Sequence, residues 1–333
     1  MFCGMKKTDY FLKTIPIFIL AVLCVLAVCV GTKFINPFSL LKLNSAETDC
    51  KILLDIRIPR VLLSILCGAL LGGTGAVYQG FFRNPLADSG IMGVSSGATF
   101  GALLGSGLSF SILKLLSPVT VFAFAGALLS SLCVYSLSKI FRESSSVTLL
   151  LSGTAVGTFF SAVSSIILMT QNKNFHSFYA WTMGSFNAKS WDDIFVFVIP
   201  SLISFGLLMM CSKELDVLSC GESVAMGLGL DYKKLERFVL IAGSLATACA
   251  VCAGGIISFA GLIAPHIVRR IYGPKHKTLI FQSMIYGSIL MLLSDTVART
   301  VIAPAEIPVG IITSLTGVPF FIFILVKLGG DKK

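Results

Sequence analysis

The chain has 333 residues, of which 55% are hydrophobic and only 13% are charged, and its formal net charge is +10. A soluble globular domain carries about 25% charged residues. This composition therefore excludes an ordinary soluble protein, because the chain lacks the polar surface that would keep it in water. The positive charges lie between apolar runs and form no aromatic-interleaved patch, which favours membrane topology over nucleic-acid binding.

Long stretches without Asp, Glu, Lys or Arg recur along the whole chain. Most of them have the length of one crossing helix, about 17–25 residues. The run 238–268 is too long for one helix and too short for two, and it contains Gly254-Gly255, Gly261 and Pro265, which predict a full helix followed by a short, broken one. The predicted helices are roughly 14–32, 61–82, 91–110, 115–138, 146–170, 194–212, 236–256, 258–272, 278–298 and 308–327.

The charges at the two ends predict the orientation. Lys6 and Lys7 precede the first apolar run, and Lys332 and Lys333 end the chain. Lys and Arg accumulate on the cytoplasmic side of membrane proteins, so both termini are expected in the cytoplasm, which requires an even number of crossings. The first run is longer than the apolar part of a signal peptide and no cleavage site follows it, so we predict a membrane helix there.

The segment 213–237 is the longest charged stretch inside the chain. Within it, Gly221–Leu230 has the pattern of a helix punctuated by glycines, and it is too polar to cross the membrane. We predict a short cytoplasmic helix that docks on a partner; a solvated loop is the alternative.

No catalytic constellation is found in the sequence. A phosphate-binding loop of the form GxxxxGK[ST] is absent, and His176, His266 and His276 are too scattered to predict a metal site. The predicted spans carry almost no ionisable residues for ion coupling, although Asp295 and Arg299 have the spacing of a helical ion pair. A transporter of this kind needs energy from a partner. A stand-alone carrier or channel, or a membrane-embedded enzyme or receptor, remain the alternatives.

Several longer motifs identify a family. They are Arg57-Ile-Pro-Arg60, Gln79-Gly-Phe-Phe-Arg83-Asn84-Pro85-Leu-Ala, Gly261-Leu-Ile-Ala-Pro265-His266-Ile-Val-Arg269 and Glu306-Ile-Pro308-Val-Gly310. With these motifs, residues 55–328 resemble the FecCD-type permeases of ABC importers, which carry iron–siderophore complexes, haem or cobalamin.

The resemblance implies an all-α polytopic fold of about ten transmembrane helices, like that of cobalamin importers and with an inverted internal repeat, in the bacterial cytoplasmic membrane. It also implies a second permease subunit, two ATPase subunits that bind ATP and Mg, and an extracytoplasmic substrate-binding protein. The chain itself is expected to bind no cofactor and to catalyse no reaction. The path in such permeases is lined by small and apolar residues, so the sequence leaves the individual cargo open.

The resemblance also implies roles for single residues. The ATPase-coupling residues are Gly221, Glu222, Ser223, Ala225, Gly227, Leu228 and Gly229. The cytoplasmic gate is expected near Ser145 and Ser146, for which a polar turn is the alternative. Arg57, Arg60 and Arg299 are predicted on the outer side, where they hold glutamates of the binding protein. The alternatives are that Arg57 pairs with Asp55 or lipid phosphate, and that Arg299 pairs with Asp295.

Overall fold

The computed structural model describes residues 4–31, 34–35, 47–108, 117–140, 146–170 and 175–330. This part of the chain is helical and contains no β-strand. Its α-helices are α1 (Gly4–Cys29), α2 (Glu47–Lys51), α3 (Ile58–Phe81), α4 (Val94–Ser106), α5 (Pro118–Ile140), α6 (Ser146–Thr170), α7 (Phe175–Thr182), α8 (Trp191–Met210), α9 (Ser212–Leu218), α10 (Glu222–Gly227), α11 (Tyr232–Gly254), α12 (Ala260–Tyr272), α13 (His276–Ala298) and α14 (Val309–Gly330).

Within the described part of the chain, seven helical segments are long and apolar enough to cross a bilayer. They are Leu12–Cys29, Thr48–Phe81, Pro118–Ile140, Val147–Met169, Trp191–Leu218, Tyr232–Gly254 and His276–Ala298. The second is continuous because a π-helical segment, Ile52–Arg57, joins α2 to α3. Helices α4 and α12 have 13 residues each, or about 20 Å of length against a hydrocarbon core of about 30 Å. A helix lies in each predicted segment, and ten crossings stay a prediction.

Helix α4 is shorter than the predicted 91–110. The Asp88 side chain accepts a hydrogen bond from the Ser89 amide and starts a single 3₁₀ turn, Ser89–Met92. Gly93 then adopts a left-handed conformation with φ of +66°, which turns the chain into α4 at Val94. The apolar run therefore begins with a cap and a reversal of direction, because Gly can adopt positive φ without a steric penalty.

The long apolar run after residue 238 is broken, as its glycines predict, but not at its proline. Helix α11 ends at Gly254, and Gly255 has φ of +75°. A Cβ at Gly255 would overlap the carbonyl oxygen of Trp181, so only glycine allows this close approach. Pro265, in contrast, lies inside α12 without ending it.

Helix α3 is the centre of the molecule, and most of its residues are buried. Glycine makes its close contacts possible: a Cβ at Gly68 or Gly72 would overlap the backbone of α13. At Gly75 a Cβ would overlap the carbonyl oxygen of Gly261 in α12. Because lipid is as apolar as Leu, membrane helices associate through such close packing of small residues.

Candidate functional site

The charged segment 213–237 forms α9 and α10 and then enters α11. The short helix α10 is anchored by Ala225, which is fully buried. Val224 and Met226 lie on either side of Ala225 in α10, Leu228 follows the helix, and each of these three side chains is at least half exposed. Exposed apolar side chains that cluster outside the long apolar helices mark an interaction surface. We name Val224, Met226 and Leu228 the α10 outer face.

The predicted coupling residues differ in what they can contact. The exposed members of the set are Ser223, Gly227, Leu228 and Gly229. Ala225 is buried in the chain, so its methyl group holds α10 in place, and its coupling role stays a prediction. Gly221 and Gly229 bound the helix with φ of +111° and +90°, backbone conformations that favour glycine. A contact of this segment with an ATPase stays a prediction.

Three side-chain contacts tie this segment to the long helices. Glu222 of α10 lies 3.8 Å from Arg83, just after α3. Tyr232, at the start of α11, stacks on Phe81 at the end of α3, with ring centroids 5.6 Å apart.

The third contact reaches α13. Asp216 of α9 accepts hydrogen bonds from the backbone amide of His276, at 2.8 Å, and pairs with the Nδ1 atom of the same residue, at 2.7 Å. The charged segment 213–237 is therefore attached to the ends of both α3 and α13.

Gln79 joins the two longest sequence motifs. Pro265 has no N–H, so the carbonyl of Gly261, four residues earlier in α12, loses its usual helical partner. The Gln79 side-chain amide of α3 donates to this Gly261 oxygen and to the Leu262 oxygen, each at 3.4 Å. The glutamine thus satisfies a backbone group that the proline leaves free inside the packed bundle.

Arg60 occupies the centre of a buried ionic cluster at the other end of α3. Its Nη2 atom lies 2.8 Å from an Asp295 oxygen, and its Nη1 atom lies 2.9 Å from both carboxylate oxygens of Glu306. Arg60 is 6% exposed and Asp295 is fully buried. We name Arg60, Asp295 and Glu306 the Arg60 cluster; it joins α3, α13 and the segment before α14.

The other two predicted docking arginines are also buried and bonded within the chain. Arg57 donates from Nη1 to the carbonyl oxygens of Val28 and Cys29, at 2.8 and 2.7 Å, and so caps the end of α1. Arg299 donates to the carbonyl oxygen of Ala27 and lies 3.8 Å from Asp295. The pairing of Arg299 with Asp295, considered as the alternative to docking, is therefore present. Docking by these arginines stays a prediction.

A cavity of about 670 Å³ opens at the break between α11 and α12. Ile256 and Ser258 of the break line it together with Gly310 and Ile311 of α14, and Met183 closes another side. Its wall also includes Thr182, Ser314, Leu315, Val318 and Pro319. Small and apolar groups dominate this wall.

The remaining predicted residues have local roles or lie outside the described part. Asn84 accepts a hydrogen bond from the Leu86 amide at 2.9 Å in the turn after α3. His266 packs edge-on against Phe320 of α14. Pro85 and Arg269 are half-buried. Pro308 immediately precedes α14. Ser145 lies outside the described residues and the side chain of Ser146 is not described, so the gate stays a prediction.

Sequence reasoning missed two features of these sites. Glu306 was singled out as part of a motif, but its partner Arg60 lies 246 positions earlier, and no local pattern reveals such a pair. Helix α7 was not predicted at all, although it closes the cavity with its last residue, Thr182. The aromatic run Phe175-His-Ser-Phe-Tyr-Ala-Trp181 was the available signal for it.

Comparison with known proteins assigns a family to this architecture. A model of the FecCD transport family matches residues 19–327. The cobalamin import system permease protein BtuC of Halobacterium salinarum is 39% identical over 285 residues, covering 86% of this chain and 76% of that protein. The iron(3+)-hydroxamate import system permease protein FhuG of Bacillus subtilis is 35% identical over 333 residues, covering 94% of this chain and 97% of that protein.

A solved structure has the same fold. It is a metal-chelate type ABC transporter in an inward-facing conformation, with a TM-score of 0.84 and 30% sequence identity. The match covers 97% of this chain and 99% of that chain. The similarity therefore extends over the whole bundle, including the segments that carry the coupling residues, the cavity and the Arg60 cluster.

Proposed function

Since the chain belongs to the FecCD transport family, we propose that it is the membrane-spanning permease of a binding-protein-dependent ABC importer in the bacterial inner membrane. Its cargo is an iron(III)–siderophore complex, or the related haem or cobalamin. A second permease subunit, either another copy or a paralogue, completes the path. Two separate ATPase subunits bind and hydrolyse the ATP, and an extracytoplasmic protein delivers the cargo.

The observation that carries this proposal is the α10 outer face together with its connections. A permease without a phosphate loop needs a surface that receives force from an ATPase, and Val224, Met226 and Leu228 offer an apolar one. Movement of this surface displaces α3 through the contacts of Arg83 with Glu222 and of Phe81 with Tyr232. It displaces α13 through the hydrogen bond between Asp216 and His276.

The cavity supports the choice of a bulky cargo. Its volume of about 670 Å³ in a single chain lies in the range of pockets that enclose whole ligands, about 300–1,000 Å³. A carrier for a small ion would instead present converging polar groups. A second permease facing α14 would enlarge this space, because Gly310, Ile311 and Leu315 of α14 form one of its walls.

We further propose that the binding protein docks at the end of the molecule that holds the Arg60 cluster. Arg60 already binds two carboxylates, so a glutamate of the binding protein reaches it by replacing one of them. Glu306 is the exchangeable partner, because its side chain is 26% exposed whereas that of Asp295 is fully buried.

Reconstitution tests the function. The chain is placed in proteoliposomes with the candidate ATPase and a binding protein loaded with a ferric siderophore, and uptake of iron is measured. We expect uptake only when ATPase, ATP and binding protein are all present. Uptake driven by an ion gradient without the ATPase would instead establish a secondary carrier.

The coupling surface is tested with a matched pair of variants. Leu228→Glu places a charge on the α10 outer face, and Val301→Glu places one on a similarly exposed residue after the far end of α13. We expect Leu228→Glu to reduce co-purification of the ATPase at least tenfold, with the variant still folded, and Val301→Glu to leave co-purification unchanged. If both variants retained the ATPase equally, the proposed coupling role of α10 would be contradicted.

A further inference from the structure

A groove lies between helices α5 and α11. The two helices are joined by a hydrogen bond between the hydroxyls of Ser131 and Ser244, at 2.7 Å. Beside this contact the groove, with a volume of about 380 Å³, opens at the protein surface. Its aliphatic lining consists of Leu128, Leu132, Leu240, Ile241 and Leu245.

One end of the groove is cationic. Arg237 and Tyr135 line it there, and the Lys139 ammonium group lies 4.3 Å from the centre of the Tyr135 ring. Arg237 and Lys139 are both exposed, and no carboxylate in the described ranges forms an ion pair with either. Glu236 interacts electrostatically with Lys139, Lys233 and Arg237, but it is only 4% exposed. The groove end therefore presents the two exposed cations Arg237 and Lys139, whereas the carboxylate near them, Glu236, is buried.

The dimensions of the groove match one leaflet of a bilayer. From Arg237 to Leu245, α11 rises about 12 Å, and from Leu128 to Lys139, α5 rises about 16 Å. Half of a hydrocarbon core of about 30 Å is about 15 Å. The aliphatic part thus lies within a single leaflet, and its cations lie at the boundary next to the charged segment 213–237, which is predicted to be cytoplasmic.

We propose that this groove binds one anionic phospholipid of the cytoplasmic leaflet. An acyl chain lies along the aliphatic lining, and the phosphate lies between Arg237 and Lys139. A guanidinium binds two phosphate oxygens at once, and basic pockets between membrane helices on the cytoplasmic side hold anionic lipid head groups.

A second copy of the chain fits the groove less well than a lipid. A two-fold contact brings the same surface of both copies together. Arg237 and Lys139 of one copy would then face the same cations of the other, and like charges at an interface are unfavourable. A lipid phosphate supplies the missing negative charge instead.

Lipid binding to the purified full-length chain tests the proposal. Phosphatidylglycerol and phosphatidylcholine are titrated separately, and native mass spectrometry counts the bound molecules. The double variant Arg237→Gln/Lys139→Gln is compared with the control Lys275→Gln/Lys277→Gln, which removes two exposed cations from the region before and at the start of α13. We expect the first variant to lose affinity for one phosphatidylglycerol at least tenfold and the control to retain it. Equal phosphatidylglycerol binding by both variants would overturn the proposal.

A photoreactive residue identifies the occupant directly. Leu132 is 61% exposed in the groove, and its replacement by p-benzoylphenylalanine reports which molecule lies there after irradiation in vesicles that contain phosphatidylglycerol. The expected product is a single phosphatidylglycerol adduct that is lost when Arg237→Gln/Lys139→Gln is added. A cross-linked dimer, or an adduct that does not depend on these two cations, would contradict the proposal.

Discussion

At the scale of single residues, the arginines show which contacts a local sequence pattern can predict and which it cannot. The spacing of Asp295 and Arg299 predicts a helical ion pair, and the two side chains lie 3.8 Å apart. The stronger contacts of Asp295 are those with Arg60, which lies 235 positions away. No spacing rule predicts these contacts, so the sequence suggested Arg60 for docking on the outer side of the membrane and did not reveal that Asp295 binds it inside the fold.

The first prediction concerns the Arg60 cluster. Arg60→Ala leaves the buried Asp295 carboxylate without its partner, and breaking a buried ion pair in this way costs about 3–5 kcal/mol. The double variant Arg60→Ala/Asp295→Ala should cost less than the sum of the single variants, because it also removes the unpaired charge. The costs of the single variants and of the double variant are measured as changes in the free energy of unfolding in mixed micelles.

A more exposed ion pair provides the control for this cycle. Lys189 lies 3.5 Å from Asp193, and Lys189→Ala should cost no more than about 1 kcal/mol. If Arg60→Ala were as mild as Lys189→Ala and lowered only the affinity for a binding protein, Arg60 would be a free docking residue and not the centre of a buried cluster.

The second prediction concerns Gln79 and Pro265. Gln79→Leu leaves the buried Gly261 carbonyl without a partner, which costs about 1–3 kcal/mol. Pro265→Ala restores an N–H one helical turn after this carbonyl, so Gln79→Leu should cost less in the Pro265→Ala background. The free energies of unfolding of the parent chain, the two single variants and the double variant give this difference. Identical costs in both backgrounds would show that Gln79 does not compensate for the proline.

At the scale of helices, apolar length and glycine carry most of what the sequence can predict. The runs free of charge locate the long helices, and Gly254-Gly255 locates the break before α12. Pro265 was a poor guide, because a side chain from α3 satisfies the carbonyl that the proline leaves free. Apolar length does not encode the start of α4, which follows the turn capped by Asp88, or the burial of Ala225 that holds α10, and it did not reveal α7.

The third prediction concerns the packing of α3 on α12. Gly75→Ala places a Cβ against the carbonyl oxygen of Gly261, so the two backbones must separate. Gly206→Ala in α8 is the matched control, because a Cβ there meets nothing within 4 Å. The control should be neutral or stabilising by about 0.5–1 kcal/mol, whereas Gly75→Ala should lower the thermal unfolding midpoint clearly. Equal midpoints for the two variants would mean that α3 and α12 are not in backbone contact.

At the scale of the whole molecule, α3 connects the two functional ends. Its 24 residues span about 36 Å, from the Arg60 cluster at one end to Phe81, beside the charged segment 213–237, at the other. Most of its side chains are buried, and Gly68, Gly72 and Gly75 hold it in close contact with α13 and α12. A helix packed in this way moves as a rigid body, so we expect a displacement at one end to shift the other end.

The last prediction concerns the orientation of this body in the membrane. With an even number of crossings, epitope tags at residue 1 and residue 333 lie on the same side, and the positive charges near both termini place that side in the cytoplasm. The contacts of Asp216 with His276 put the charged segment 213–237 at the start of α13, and Ala305 follows the other end of that helix, about 34 Å away. A tag inserted at Ala305 should therefore be accessible to antibody in intact spheroplasts, while tags at both termini and at Cys220 become accessible only after the membrane is opened. A C-terminal tag that is accessible from outside, with an N-terminal tag that is not, would require an odd number of crossings and would overturn the ten-helix topology.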